Sequence, residues 1–194
     1  MPSSLNFSRV LPLVQSNLSL VPNLPGVSSA DSLAILQDIY KKDSTDAQVI
    51  SMRNFNTEAI TRPFVSVDSY TIQTAYTIRL FLAVDGKLAG VLQAAYSDVR
   101  SVLTSPVPFI EATCYLESIY VCPAFRRRAV GTKAITLLKF GVMQEIANLQ
   151  KEYDSCPDTT VFFHSEGVSD GGRQLAQVFN EELFSLGTIE KATL

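Results

Sequence analysis

Residues 115 to 135 read Tyr-Leu-Glu-Ser-Ile-Tyr-Val-Cys-Pro-Ala-Phe-Arg-Arg-Arg-Ala-Val-Gly-Thr-Lys-Ala-Ile, and their pattern changes twice. Ala112 to Cys122 is rich in β-branched and aromatic residues and Pro123 stops it, which predicts a strand. From Val130 the apolar residues recur every four positions, through Ala134, Leu138, Val142 and Ile146, with Ile135 and Leu149 beside them. That period predicts an amphipathic helix. Between strand and helix stand Arg126, Arg127 and Arg128. The first turn of a helix offers unpaired N–H groups and the positive end of the macrodipole, so it is a natural seat for a phosphate. Arginine forks match phosphate oxygens, and the small residues Ala129 and Gly131 let a ligand approach the backbone. The expected guest is an anion of the pyrophosphate type.

The neighbouring stretches extend this picture. Upstream, Asp85-Gly86 lies between Leu80-Phe81-Leu82-Ala83-Val84 and Leu88-Ala89-Gly90-Val91-Leu92, which predicts a two-residue hairpin with a type I′ turn. Ser101 to Pro108 holds two prolines and reads as a loop. Downstream, Cys156-Pro157-Asp158 ends the helix, Thr159 to His164 reads as a buried strand, and Leu175, Val178, Phe179 and Leu183 mark a last helix. Near the start, two short apolar pieces, Val10 to Val14 and Leu18 to Val21, read as an edge strand and a loop. Ser28 and Asp31 form a capping-box pattern ahead of a helix over 29 to 42, and a second helical piece is predicted from Asp46 to Ile60, ended by Arg62-Pro63.

The chain has 194 residues, 46% of them apolar, and 16 basic against 19 acidic side chains. A chain of this length buries roughly 70% of its unfolded surface, enough for a core without disulfides. The reading is one α/β layered domain over 1–194, with an N-terminal edge strand and loop over 1–27 and a core over 28–190. Net charge −3 argues against broad nucleic-acid binding, which draws its affinity from phosphate neutralisation. The three cysteines lack CxxC spacing and His164 is the sole histidine, so no metal site is expected. No apolar run reaches a membrane span, since Arg79, Asp85 and Lys87 break the greasiest stretch. No basic cluster precedes the first apolar residues, and the expected location is the cytoplasm.

The segment resembles the GNAT family of N-acetyltransferases, whose coenzyme A signature is Arg or Gln, two variable residues, Gly, one variable residue, then Gly or Ala. Arg126 to Gly131 matches it at both ends, and Leu116-Glu117, Val121, Pro123, Arg128 and Val130 are similar to the family's strand-to-helix core. So is the hairpin around Asp85-Gly86-Lys87 with Gly90 in its second strand. The resemblance implies a mixed α+β, three-layer fold with a splayed, mostly antiparallel sheet between helices. The pantetheine arm of acetyl-coenzyme A would lie where strand 112–122 parts from strand 159–164. The backbone of Ile119, Tyr120 and Val121 would bond that arm, and Arg126, Arg127, Arg128, Ala129, Val130, Gly131 and Thr132 would hold the pyrophosphate. Glu117 stands where several members carry the general base, with Glu111 as a weaker candidate. The acceptor would be an amine on a small molecule or a protein.

Three departures from the family pattern matter. Ala129 replaces a glycine, which costs nothing if the position is helical, as its place suggests. No tyrosine lies beyond Tyr153 to protonate the departing thiolate, and Asn180 stands in that region as a hydrogen-bonding substitute. Gly187-Thr188-Ile189 is followed by only five residues where the family adds two more strands, so the expectation is that the acceptor side is rudimentary or that a second copy in a homodimer covers it. The residues also admit plainer roles: the Arg run as an exposed turn, Glu117 as a solvated strand carboxylate, His164 as a buried, hydrogen-bonded side chain. The leading reading is acetyl-coenzyme A-dependent N-acetyl transfer; the alternative is a binding or structural module on the same fold with little catalysis.

Overall fold

The computed structural model describes residues 10–43, 55–56, 58–167 and 170–185. Its elements are β1 (Leu13–Gln15), β2 (Leu18–Val21), α1 (Ser29–Asp43), β3 (Phe64–Val67), β4 (Thr71–Val84), β5 (Lys87–Ser101), β6 (Phe109–Val121), α2 (Val130–Gln150), β7 (Asp158–His164), α3 (Asp170–Phe179) and β8 (Glu181–Ser185). One sheet runs in the order β1-β2-β4-β5-β6-β7-β8, with β3 paired to β4. Every pairing is antiparallel except β6 with β7.

The long β4–β5 hairpin follows from its turn. Asp85 and Gly86 both hold positive φ, 49° and 73°, the type I′ geometry that matches the twist of the flanking strands. Helix α1 starts where the capping pattern placed it: Ser28 Oγ accepts from the Asp31 N–H at 3.1 Å and donates to Asp31 Oδ2 at 2.7 Å. Its Leu33 and Leu36 pack on one sheet face against Phe81, Val91, Tyr120 and Cys122. On the other face, Ala134, Ile135, Leu138, Val142 and Ile146 of α2 bury fully against Ile78, Leu80, Leu92 and Ala94, and Phe179 of α3 joins them. The layers are therefore helix, sheet, helix.

Some expectations are corrected. The N-terminal edge strand is a hairpin, β1 and β2, turned at Ser16, which takes φ 54°. Most of the helix predicted from Asp46 to Ile60 lies outside the described residues, but its end is not helical: Ala59 O accepts from the Arg79 N–H and Ile60 bridges Ile78. An unread strand, β3, follows Pro63; its sequence Phe-Val-Ser-Val is only four residues long, and all four are exposed. Leu183 belongs to β8, not to a helix, because the chain leaves α3 at Asn180 and pairs with β7. His164 has a side chain 55% exposed rather than buried, since the alternation of β7 turns its last residue outward.

The α2 face also buries polar groups. Asp98 and Arg100 are nearly inaccessible with Oδ1 and Nε 3.9 Å apart, and Glu145 is 1% exposed. Burial pushes the Asp98 carboxyl up to about 7 against the opposing pull of Arg100.

Candidate active site

Strand β6 builds the site because its two edges end differently. On one side it pairs with β5 along its length, while on the other the parallel ladder to β7 stops at Tyr115 and His164. From Leu116 to Val121 that edge has no strand partner among the described residues. This is the splayed gap that the family resemblance implied, and an edge of this kind can bond an extended ligand through its backbone groups. Ser165 closes its narrow end, its Oγ donating to Leu116 O at 3.4 Å.

Glu117 occupies a β-bulge. Gln93 pairs with Ser118 and Ala94 with Leu116, so Glu117 is the extra residue on β6. Bulges re-aim side chains and recur next to active sites. This one puts the carboxylate beside Gln93, whose Nε2 donates to Glu117 Oε2 at 2.7 Å. Along the same face lies a groove of about 320 Å³ floored by Ala75, Thr77, Ala95, Ser97, Thr113 and Tyr115. The Tyr115 phenol is shifted upward by partial burial and by the carboxylates of Glu166 and Glu117. Glu111 lies on this face too, three pairs further from the gap and opposite Val99.

Past Cys122 a short 3₁₀ turn, Pro123–Phe125, leads into the Arg run. Arg127 and Ala129 both take left-handed conformations, with φ 59° and 56°. Ala129 is therefore not helical, and the cost of a β-carbon in that conformation stands, at about 1–2 kcal/mol. Ala129 caps α2 with no side-chain bond, and the first helical amide to find a partner is Lys133, donating to Ala129 O at 2.9 Å. The N–H groups of Val130, Gly131 and Thr132 precede that bond and lack intrahelical acceptors. Backbone curled this way at a helix start has the geometry of the nests that can bind anions. Ala129→Gly should relieve the strain; after the added chain entropy of glycine, a net gain of about 0.5–1 kcal/mol is expected in denaturant unfolding. A loss would show that Ala129 is not strained.

The three arginines separate. Arg126 turns back to the fold: Nε donates to Val121 O at 3.0 Å, Nη1 donates to Asp43 Oδ1 at 3.2 Å, and Nη2 pairs with Asp43 Oδ2. Tyr120 completes this knot, its hydroxyl donating to Asp43 Oδ2 at 3.3 Å. The Arg126 guanidinium is thus held by a bidentate carboxylate. Arg127 is exposed. Arg128 lies over the Phe125 ring and, with Lys87, Lys133 and Asp85, lines a cavity of about 350 Å³ beside the start of α2. Those three cations come from separate elements, and only tertiary structure gathers them.

Gly131 and Asn180 also make contacts with distant segments of the fold. A β-carbon on Gly131 would lie 3.3 Å from Leu175 Cδ1, so the small residue serves the approach of α3. Asn180 clasps the chain after β7, its Oδ1 accepting from Ser165 N at 2.7 Å and its Nδ2 donating to Ser165 O at 3.3 Å. That amide shapes the narrow end of the gap. Cys122 is 3% exposed and burial pushes its thiol up to about 11, which suits packing rather than nucleophilic attack.

No helix among the described residues is long and apolar enough to cross a membrane. No curated protein matches the chain. The sequence profile of the acetyltransferase (GNAT) family matches residues 37–152, a span that runs from within α1 through the bulged strand and the Arg turn to just past α2. With that match covering more than half of the chain and the splayed β6–β7 pair in place, the protein belongs to the acetyltransferase (GNAT) family.

Proposed function

We propose that the protein transfers an acetyl group from acetyl-coenzyme A directly to an amine, with Glu117 as general base. The observation that carries this reading is the bulge, which sets a carboxylate at the start of the gap, one residue past Leu116, on the strand that leads into the Arg turn and α2. The cofactor fits the residues present: the amides of Val130, Gly131 and Thr132 would hold its pyrophosphate, Arg127 and Arg128 would add charge, and the β6 backbone at Ile119, Tyr120 and Val121, which has no strand partner on the gap side among the described residues, would take its pantetheine arm. When bound, acetyl-coenzyme A supplies the activated thioester. Glu117 takes the proton that the attacking amine must lose. Asn180 and the Ser165 backbone keep the narrow end of the gap closed, which limits water beside the reacting carbon.

An excess of coenzyme A at 100 times its dissociation constant should stabilise the protein by about 2.7 kcal/mol, a rise of roughly 5–10 °C in melting temperature. Arg128→Ala should blunt that rise. Arg126→Ala should instead lower the melting temperature of the free protein, because it unties α1 from the Arg turn, and leave most of the ligand-induced rise. An unchanged melting curve in millimolar coenzyme A would sink the cofactor assignment. The reading of a non-catalytic module draws support from Asn180, which cannot donate a proton to a thiolate at neutral pH; it would be favoured by firm coenzyme A binding without turnover of any amine.

A further inference from the structure

Glu117 is exposed at its bulge, yet its carboxylate is held from behind by a chain of hydrogen bonds. Gln93, 8% exposed, donates from Nε2 to Glu117 Oε2. A glutamine amide has two ends of nearly equal shape, and nothing in the side chain alone decides which faces the acid. Here the other end decides. The Asn56 N–H donates to Gln93 Oε1 at 2.8 Å, and only the oxygen can accept it. The NH₂ group is thereby turned to the carboxylate. The reverse orientation would set oxygen against a carboxylate and N–H against N–H. Asn56 is itself anchored, because Arg79 Nε donates to its carbonyl oxygen at 3.1 Å while Nη1 donates to Pro22 O at 2.9 Å and Nη2 to Ser29 Oγ at 2.5 Å.

We propose that Gln93 is a positioning residue for Glu117, oriented by the Asn56 amide and ultimately by the buried Arg79; this rests on the reading of Glu117 as the base. With Oε2 held by a charge-assisted bond, the carboxylate keeps one rotamer, and Oε1 is the oxygen left to take the proton. The benefit is one of placement, where an error near 1 Å can cost about 10²-fold in rate.

The test compares wild type, Gln93→Leu, Glu117→Gln and the double variant. At saturating acetyl-coenzyme A, Gln93→Leu should lower kcat by about 10–10²-fold and leave the KM for acetyl-coenzyme A within about 2-fold. In the Glu117→Gln background the same change should cost less than about 2-fold, because residues that act as a unit are not additive. Full additivity, or an unchanged kcat in Gln93→Leu, would overturn the proposal. A readout without turnover guards against a variant that merely loosens the loop: the Gln93 side-chain NH₂ signals in a ¹⁵N–¹H spectrum should move on Glu117→Gln while the backbone amides of Val130 to Thr132 stay in place. Signals that do not move would also overturn it. Signals that move in a protein that acetylates no amine would uphold the grip of Gln93 on Glu117 and overturn the transferase reading alone.

Discussion

Glu117→Gln is expected to lower acetyl transfer at neutral pH by about 10²–10⁴-fold, the usual worth of a general base, and to leave coenzyme A binding intact. Glutamine keeps the shape of the side chain and can still meet the Gln93 amide, so the bulge and the packing of β6 persist. What is lost is the ability to take a proton from the amine. Cofactor affinity is expected to be spared because the proposed pyrophosphate seat lies beyond the end of β6, at Arg127 to Thr132. A thiol-release assay over a panel of amines, run beside a melting-temperature shift with coenzyme A, separates the two effects. Equal rates in wild type and variant would dismiss Glu117 as the base.

Arg79→Met is expected to produce the largest loss of stability, about 3 kcal/mol, read as a melting temperature lower by roughly 6–12 °C. Methionine fills much of the same volume but leaves the Pro22 and Asn56 carbonyls and the Ser29 hydroxyl without their donor. Arg79 is completely buried, and its guanidinium stacks on the Phe81 ring with Cζ 4.3 Å from the centroid. Burial alone lowers it only to about 10, so it stays charged at neutral pH and those acceptors are what make the site tolerable. The same substitution should reduce acetyl transfer even at temperatures where the protein is folded, since Asn56 no longer has a fixed place. A melting temperature within about 2 °C of wild type would show that the carbonyls find other donors.

The legible parts of the sequence were those set by local rules. Asp85-Gly86 specified a turn because both residues tolerate positive φ, Ser28 and Asp31 specified a helix start because their side chains satisfy each other and an N–H, and the four-residue apolar period of 130–149 specified the buried face of α2. Strand β3 was not legible, because its four residues are too few to show a period and its place in the sheet is set by pairing with β4. Nor was β8, where Leu183 continued the apolar spacing of the helix before it although the pairing with β7 governs the backbone.

At the site the division is similar. From the sequence came the strand-to-helix turn with its basic run and the carboxylate at 117, both in one continuous stretch. The gap was only implied by the family resemblance, and its start after Tyr115 is set by where the ladder to β7 ends. Tertiary structure decided what each group is free to do. Asp43 comes from the end of α1, far from Arg126 in sequence, and pairs with that arginine. The left-handed turn at Ala129 is imposed by how the chain must pass from the 3₁₀ turn to α2, against its own local preference. Gln93 meets Glu117 only because a one-residue bulge shifts the register of β6 against β5, and no local pattern in either strand encodes that shift. Local backbone preference and hydrophobic period can be read along a chain, whereas the partner that occupies a charged side chain is set by which distant segments the packing brings together.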